Sequence, residues 1–500
     1  MRGVLAFLAM LAAAQAAVAQ PLRIGLKDDP DILDPTLART FASRTVFIGL
    51  CDKLFDVSDK LELVPQLATG WSWADERTLR ITLRPGVTFH DGRPMDAEAV
   101  RLSLHRHLTM QGSFRRGELT NLQAIEVVDP LTILLRLDAP SGAFLSQLSD
   151  RAGMILSPAA IEATGRDFGR APVCAGPFRF VERIAQDRIV LDRFPGYWDA
   201  GRIHIPRVTF QAIPDNTARR ANLQAGALDI AMQVEPDDVP ALRRNQRLRI
   251  AQAEELGYQV ITYNLGNGPR ARTPFGQDAR IRAAFEAAID RQAINQVVYG
   301  GQYTPTIQPV PPASPYHLRA IGPVPGRDLD RARALLREAG ATTPITLSLT
   351  VPNSPDLRQV GEMIQAMVRE AGFDLRLNAM EYASGLAASN RGDFEASLTA
   401  WSGRPDPDGN IYHGAHSRGA TNEGKYSDPE VDRLLDAARA ETDPPKRLAL
   451  YDAAWRIAIG RDRSRMYLWH RMNITAYSAR IRGLAAHPDG LVRFQDVRLD

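Results

Sequence analysis

Asp406 and Asp408 stand one residue apart and could form a carboxylate pair, the arrangement used for general acid–base work. Pro407 and Gly409 make that segment a turn first. His413 and His416 could bring two imidazoles to one metal. A loop His-x-x-His without cysteine or acidic companions is a weak ligand set, so surface or core histidines are the simpler reading and no metal is assigned. The chain has no Gly-x-Ser-x-Gly elbow, no His-Glu-x-x-His and no Gly-Lys-Ser/Thr phosphate loop. Gly266-x-Gly268-x-x-Ala271 follows a strand pattern, but Pro269 and Pro274 spoil the helix start that a dinucleotide fold needs. Neither a catalytic constellation nor a cofactor is expected.

The elements that must position these residues alternate. Residues 79–84 alternate apolar and polar, as in a half-buried strand, and Pro85-Gly86 ends it. Asp96 caps a helix with Ala97, Val100, Leu104 and Leu108 on one face. Strands are predicted at 131–137 and 258–265, a hairpin over 179–182 and 188–194, and a helix over 216–225. Ile281, Ala284, Phe285, Ala288 and Ile289 predict one long helix. Residues 305–325 hold seven prolines and read as irregular. Beyond them come helices capped by Asp328 and at 357–371, and strands at 345–351, 375–380 and 394–401. Ser427-Asp428-Pro429-Glu430 reads as a capping box, Asp443-Pro444 starts a helix running to Gly460, and late strands fall at 466–469 and 473–477. Strand–helix alternation on both sides of Leu265 predicts two α/β lobes.

With 500 residues, the chain exceeds what one core usually serves. Hydrophobic residues are 44% and charged residues 24%, which excludes a disordered chain and a multi-span membrane protein. The net charge is +3 with basic residues spread along the chain, so nucleic acid is not an expected partner. Only five of the 61 basic residues are lysine, an arginine excess that a GC-rich genome explains. Arg2, the apolar run 3–14 and Ala17-Val18-Ala19 form a cleavable export signal over residues 1–19, with no cysteine for a lipid anchor. A periplasmic protein is expected. Its two cysteines, Cys51 and Cys174, could form one bridge in an oxidising compartment or remain two buried thiols.

Residues 63–100 resemble the signature of the family 5 extracellular solute-binding proteins, the peptide- and nickel-type receptors of ABC importers. Leu33-Asp34-Pro35, Gly176-Pro177-Phe178, Tyr197-Trp198, the run Asp278-Ala279-Arg280-Ile281-Arg282, Ala288-Ile289-Asp290-Arg291 and Tyr426-Ser427-Asp428-Pro429-Glu430 resemble further blocks of that family, in the same order. The resemblance implies a two-lobed periplasmic-binding-protein fold of α/β class with an extra subdomain in the N-terminal lobe. Lobe I would span 20–262, with an insert at about 46–170, and regain 475–500. Lobe II would span 263–474, and 258–264 and 473–477 would be hinge crossovers. It also implies a monomeric, non-enzymatic receptor that holds a short peptide or other carboxylate-bearing solute between its lobes and passes it to inner-membrane permease subunits. An opine-type acid or a nickel–chelator complex is the alternative, and a secreted hydrolase acting through Asp406 and Asp408 is a more distant one.

By the same resemblance, Trp401 belongs to a cleft-lining loop, and Arg404 stands where peptide binders commonly carry an amine-binding aspartate. A guanidinium cannot bind an ammonium but can bind a carboxylate bidentately. Asp406 could then replace the lost acid. Arg151 resembles an arginine that holds a ligand carboxylate, with a salt bridge to Asp150 as the plainer role. Asp29 aligns with an acidic cleft position, and Tyr382 with an aromatic cleft wall. A Cys51–Cys174 bridge inside lobe I is the simplest account of the altered turn at Cys174-Ala175.

Overall fold

A computed structural model describes residues 20–500, so the export signal at 1–19 lies outside the described residues. The strand Leu22–Leu26 buries Leu22, Ile24 and Leu26 on one face and sits inside a seven-stranded sheet. It pairs in parallel with Arg207–Ala212 and, on its other edge, with the short strand Ile230–Ala231. Met472–Ser478 and Leu248–Glu254 extend the sheet one way, and the hairpin Phe178–Ile184/Arg188–Arg193 extends it the other. Phe47, Leu50, Leu191, Phe210 and Phe494 fill the core of this first lobe.

The second lobe is built on a six-stranded sheet in the order Thr304–Pro305, Arg465–His470, Tyr258–Tyr263, Ala396–Trp401, Ile345–Pro352 and Phe373–Met380. Every residue of Tyr258–Tyr263 is buried, as a central strand requires. A separate antiparallel sheet of four strands lies within 68–137 and packs on the helix Ala97–Thr109, with its own core around Leu79, Ile81, Leu104 and Leu135.

The chain crosses between the two large sheets earlier and more abruptly than expected. Tyr258–Tyr263 pairs on both edges with second-lobe strands, so it belongs wholly to that lobe rather than forming a hinge ending lobe I at 262. Met472–Ser478 belongs wholly to the first. The connections are residues 255–257 and Arg471. Backbone meets backbone there: a Cβ on Gly257 would lie 2.1 Å from the Trp401 carbonyl oxygen, and Gly403 (φ +73°) sits against Leu256.

Three helix expectations also change. The long helix splits into Ala279–Ala287 and Arg291–Tyr299, because the Asp290 carboxylate accepts from the Ala293 N–H and starts a new helix. The cap before Pro429 is Asp428, which accepts from the Glu430 and Val431 amides, not Ser427. The helix from Pro444 ends at Trp455 and widens into a π-turn over Arg456–Arg461.

Cys51 and Cys174 are bonded, with Cα atoms 4.9 Å apart and a sequence separation of 123. The bond ties the C-terminal cap of the helix Phe41–Leu50 to the segment that bridges Leu156. A loop of that length predicts a loss of about 5 kcal/mol for the Cys51→Ser/Cys174→Ser double variant. Urea unfolding checks this; an unchanged midpoint contradicts it.

Candidate functional site

The lobes meet across a layer of charge. Lys27 of the first lobe lies 3.0 Å from Glu235 and 2.9 Å from Asp356 of the second lobe. Arg39 pairs across the gap with Glu423 and donates to Asn390. Asp150 receives Arg44 at 3.1 Å from its own lobe and Arg404 at 2.5 Å from the opposite one. Gln147 donates to Asp408 at 2.9 Å, and Arg439, itself bidentate on Asp408, reaches the Gly117 carbonyl at 3.1 Å.

Between these contacts lie two adjoining cavities, of about 620 and 1030 Å3, that share Arg39, Tyr382, Thr399, Ala400 and Trp401. Trp401 ends its strand and is fixed by its indole N–H on Asn410 at 3.1 Å. Tyr382 opens a helix capped by Glu381 and donates to the Ala400 carbonyl at 3.3 Å; burial pushes its phenol up to about 12. Both expected aromatic residues therefore line the cavities.

The smaller cavity is rich in arginine. Arg151 is 1% exposed, donates through Nη1 to the Ala38 carbonyl at 3.1 Å, and lies 3.9 Å from Asp150, too far for a hydrogen bond. Its Nη2 donates to no described residue. Burial, with Arg115 nearby, lowers its pKa to about 10, so it stays charged at neutral pH. Arg115 pairs with Glu118 at 2.5 Å, and Arg465 bonds only carbonyls, those of Gly414 and Thr421.

The larger cavity holds the acids. Glu235 and Asp356 are matched by Lys27, and Glu255 by Arg471 at 2.8 Å. Asp28 alone of its carboxylates accepts no hydrogen bond and forms no ion pair with a described residue. Burial raises its pKa, against the opposing pull of Lys27.

Three expected ligand residues are placed otherwise. Arg404 is buried against Asp150 and stacks on Trp401 at 4.7 Å, so its charge is matched inside the protein. Asp406 is held by both terminal nitrogens of Arg447 at 2.7 Å, leaving no oxygen for an ammonium. Asp29 turns away from the cavities onto Arg183 at 2.9 Å. The acid that enters the cavity is the neighbour Asp28, which follows Lys27 in the bend after the strand Leu22–Leu26. No local signal separates the two adjacent acids, because the bend after Leu26 sets the direction of each. His413 and His416 also part company. His413 enters the smaller cavity, where burial lowers its pKa to about 4, whereas His416 stacks on Tyr412 with ring centroids 4.2 Å apart.

The Arg404–Asp150 pair spans the lobes. Arg404→Ala should cost the closed form about 2 kcal/mol or more, because it leaves a buried carboxylate with one partner fewer. Small-angle scattering should then show a larger radius of gyration for the ligand-free variant; an unchanged radius contradicts a role in closure.

Among the described residues, no helix is long and apolar enough to cross a membrane. The family model for bacterial extracellular solute-binding proteins, family 5 Middle, matches residues 62–422. The glutathione-binding protein GsiB of Salmonella paratyphi A is 29% identical over 502 aligned residues, covering 98% of this chain and 96% of that one. Among solved structures, the Escherichia coli murein tripeptide binding protein MppA superposes with a TM-score of 0.88 at 22% identity, covering 97% of this chain and 99% of its own. The binding protein AgaA of A. tumefaciens R10, in complex with agropinic acid, superposes with a TM-score of 0.88 at 23% identity, covering 96% and 99%. The two-lobed fold, the enclosed cavity and the matched sequence blocks agree, and the chain belongs to family 5 of the bacterial extracellular solute-binding proteins.

Proposed function

We propose that this protein is the periplasmic receptor of an ABC importer and captures a small zwitterionic solute, a short peptide or amino-acid derivative, between its lobes. The observation that carries this reading is the division of charge across the joined cavities. Asp28 is the acid without a partner in one, and Arg151 the buried arginine with a donor to spare in the other. A ligand ammonium would neutralise the first and a ligand carboxylate would accept from the second. Trp401 and Tyr382 would wall the intervening body.

The relatives support the chemistry. Glutathione and a tripeptide both combine an amine with carboxylates, and these are what GsiB and MppA are named for. An opine-type acid would use the arginines alone and leave Asp28 uncompensated, which makes it the second reading. The hydrolase reading loses its acid pair, because Asp406 and Asp408 are each bound bidentately by an arginine. In this account Arg404 acts through closure rather than on the ligand. Residues 1–19 direct export and are cleaved, and the receptor works as a monomer with permease subunits at the inner membrane.

Calorimetric titration with glutathione and with a dipeptide tests the assignment. Asp28→Asn and Arg151→Gln should each weaken binding tenfold or more, about 1.4 kcal/mol or more. N-acetylating the dipeptide should cost the parent protein the same but cost Asp28→Asn little further. Full affinity in both variants contradicts the reading.

The pH dependence has a definite sign. A bound ammonium lowers the Asp28 pKa relative to its raised ligand-free value, so binding releases protons. Affinity for an amine ligand should therefore be complete above the ligand-free pKa and fall as the pH drops through it. That fall should begin above the usual carboxylate range and be absent in Asp28→Asn.

A further inference from the structure

A second cleft in the second lobe shares only Arg465 with the interlobe cavities and encloses about 1710 Å3 of open space. Arg291, at the start of the helix Arg291–Tyr299, is 4% exposed and lines it. Its Nε donates to the Tyr467 carbonyl at 2.8 Å. Its two terminal nitrogens donate to no described residue, and it forms no ion pair with a described acid.

The nearby acid is already matched. Glu286 lies 3.2 Å from Arg463 and accepts from the Tyr263 hydroxyl at 3.5 Å. Arg463 is held at φ +52°, a conformation that side chains rarely adopt. Arg282 fixes that loop by donating to the Arg463 carbonyl at 3.0 Å and the Asp462 carbonyl at 2.6 Å. The loop thus takes the direct ion pair with Glu286, and Arg291 feels that carboxylate only at longer range, with no acid in contact with it among the described residues.

Buried guanidinium groups are ordinarily paired or fully bonded. An arginine that is neither, at the wall of an open cleft, calls for an anion from outside. The remaining surface says what kind. Leu335, Ile459 and Trp455 line it with apolar side chains, and at the rim the exposed Arg331, 3.7 Å from Glu338, stands with Arg327 and Arg333 against Asp328 and Asp330. We propose that this cleft is a second ligand site, which takes an amphipathic organic acid with its oxyanion on Arg291 and its apolar body along Leu335, Ile459 and Trp455. The inference does not depend on the interlobe assignment, with which it shares no ligand group.

The probes are dodecanoate below its micelle concentration and inorganic phosphate, each titrated calorimetrically into the full exported chain. Dodecanoate should bind one to one, and phosphate at least tenfold more weakly. Arg291→Gln should weaken dodecanoate binding at least tenfold with an unchanged melting temperature. Arg331→Glu, a surface change that does not threaten folding, should weaken it about threefold or more and carries the test if Arg291→Gln fails to fold. No saturable binding, equal binding of phosphate, or full affinity in a folded Arg291→Gln or in Arg331→Glu would overturn the proposal.

Discussion

Charge removed from water must meet opposite charge or hydrogen-bond partners, and that constraint shapes the whole interlobe region. Asp150 is the centre of it. It is held well below the usual carboxylate range by Arg404 from the opposite lobe and by Arg44 and Arg151 from its own side, despite the contrary effect of burial. Lys27 does the converse with two acids, one from each lobe; its pKa is raised although burial alone would lower it. Each of these groups has its full set of partners only when the lobes are together. Closure and charge matching are therefore one event, and the groups left unmatched in the closed form mark where a ligand completes the set.

That matching depends on short connections. Residues 255–257 and Arg471 join strands that run straight into opposite sheets, and the Gly257 and Gly403 backbones lie against neighbours that leave no room for a Cβ. Trp401 and Arg404 therefore sit immediately beside the crossing. A small change of angle at the connection moves Arg404 onto or off Asp150. Hinge closure of this kind needs few residues to change dihedral angle. The Cys51–Cys174 bond and the separate four-stranded sheet stiffen the first lobe away from that crossing.

Much of the fold was legible because its signals are local. Asp96, Asp328 and Asp443 each cap the helix that their spacing indicated, and the family blocks implied the two-lobed order. The failures were of two kinds. Asp290 interrupts an unbroken apolar stripe, and a cap inside a periodic pattern outranks the pattern. The site residues fared worse, since an aspartate or arginine carries no sign of who will stand opposite it. Asp406 and Arg404 looked available until Arg447 and Asp150, 41 and 254 residues away in sequence, occupied them. Asp28 was passed over for its neighbour because the bend after Leu26, not a sequence pattern, decides which of two adjacent acids enters the cavity. Trp401 and Tyr382 were legible through resemblance alone, and the structure places both on the cavity wall.

We propose that the closed protein holds a solute bearing both an ammonium and a carboxylate, set between Asp28 and Arg151. Native mass spectrometry of the protein purified from a periplasmic extract, followed by denaturation and identification of what is released, tests it most directly. The account predicts a stoichiometric bound mass that resolves into one or more small molecules carrying a free amine and a free carboxylate. Release of an acid without an amine, or of a metal–chelator complex, would contradict it.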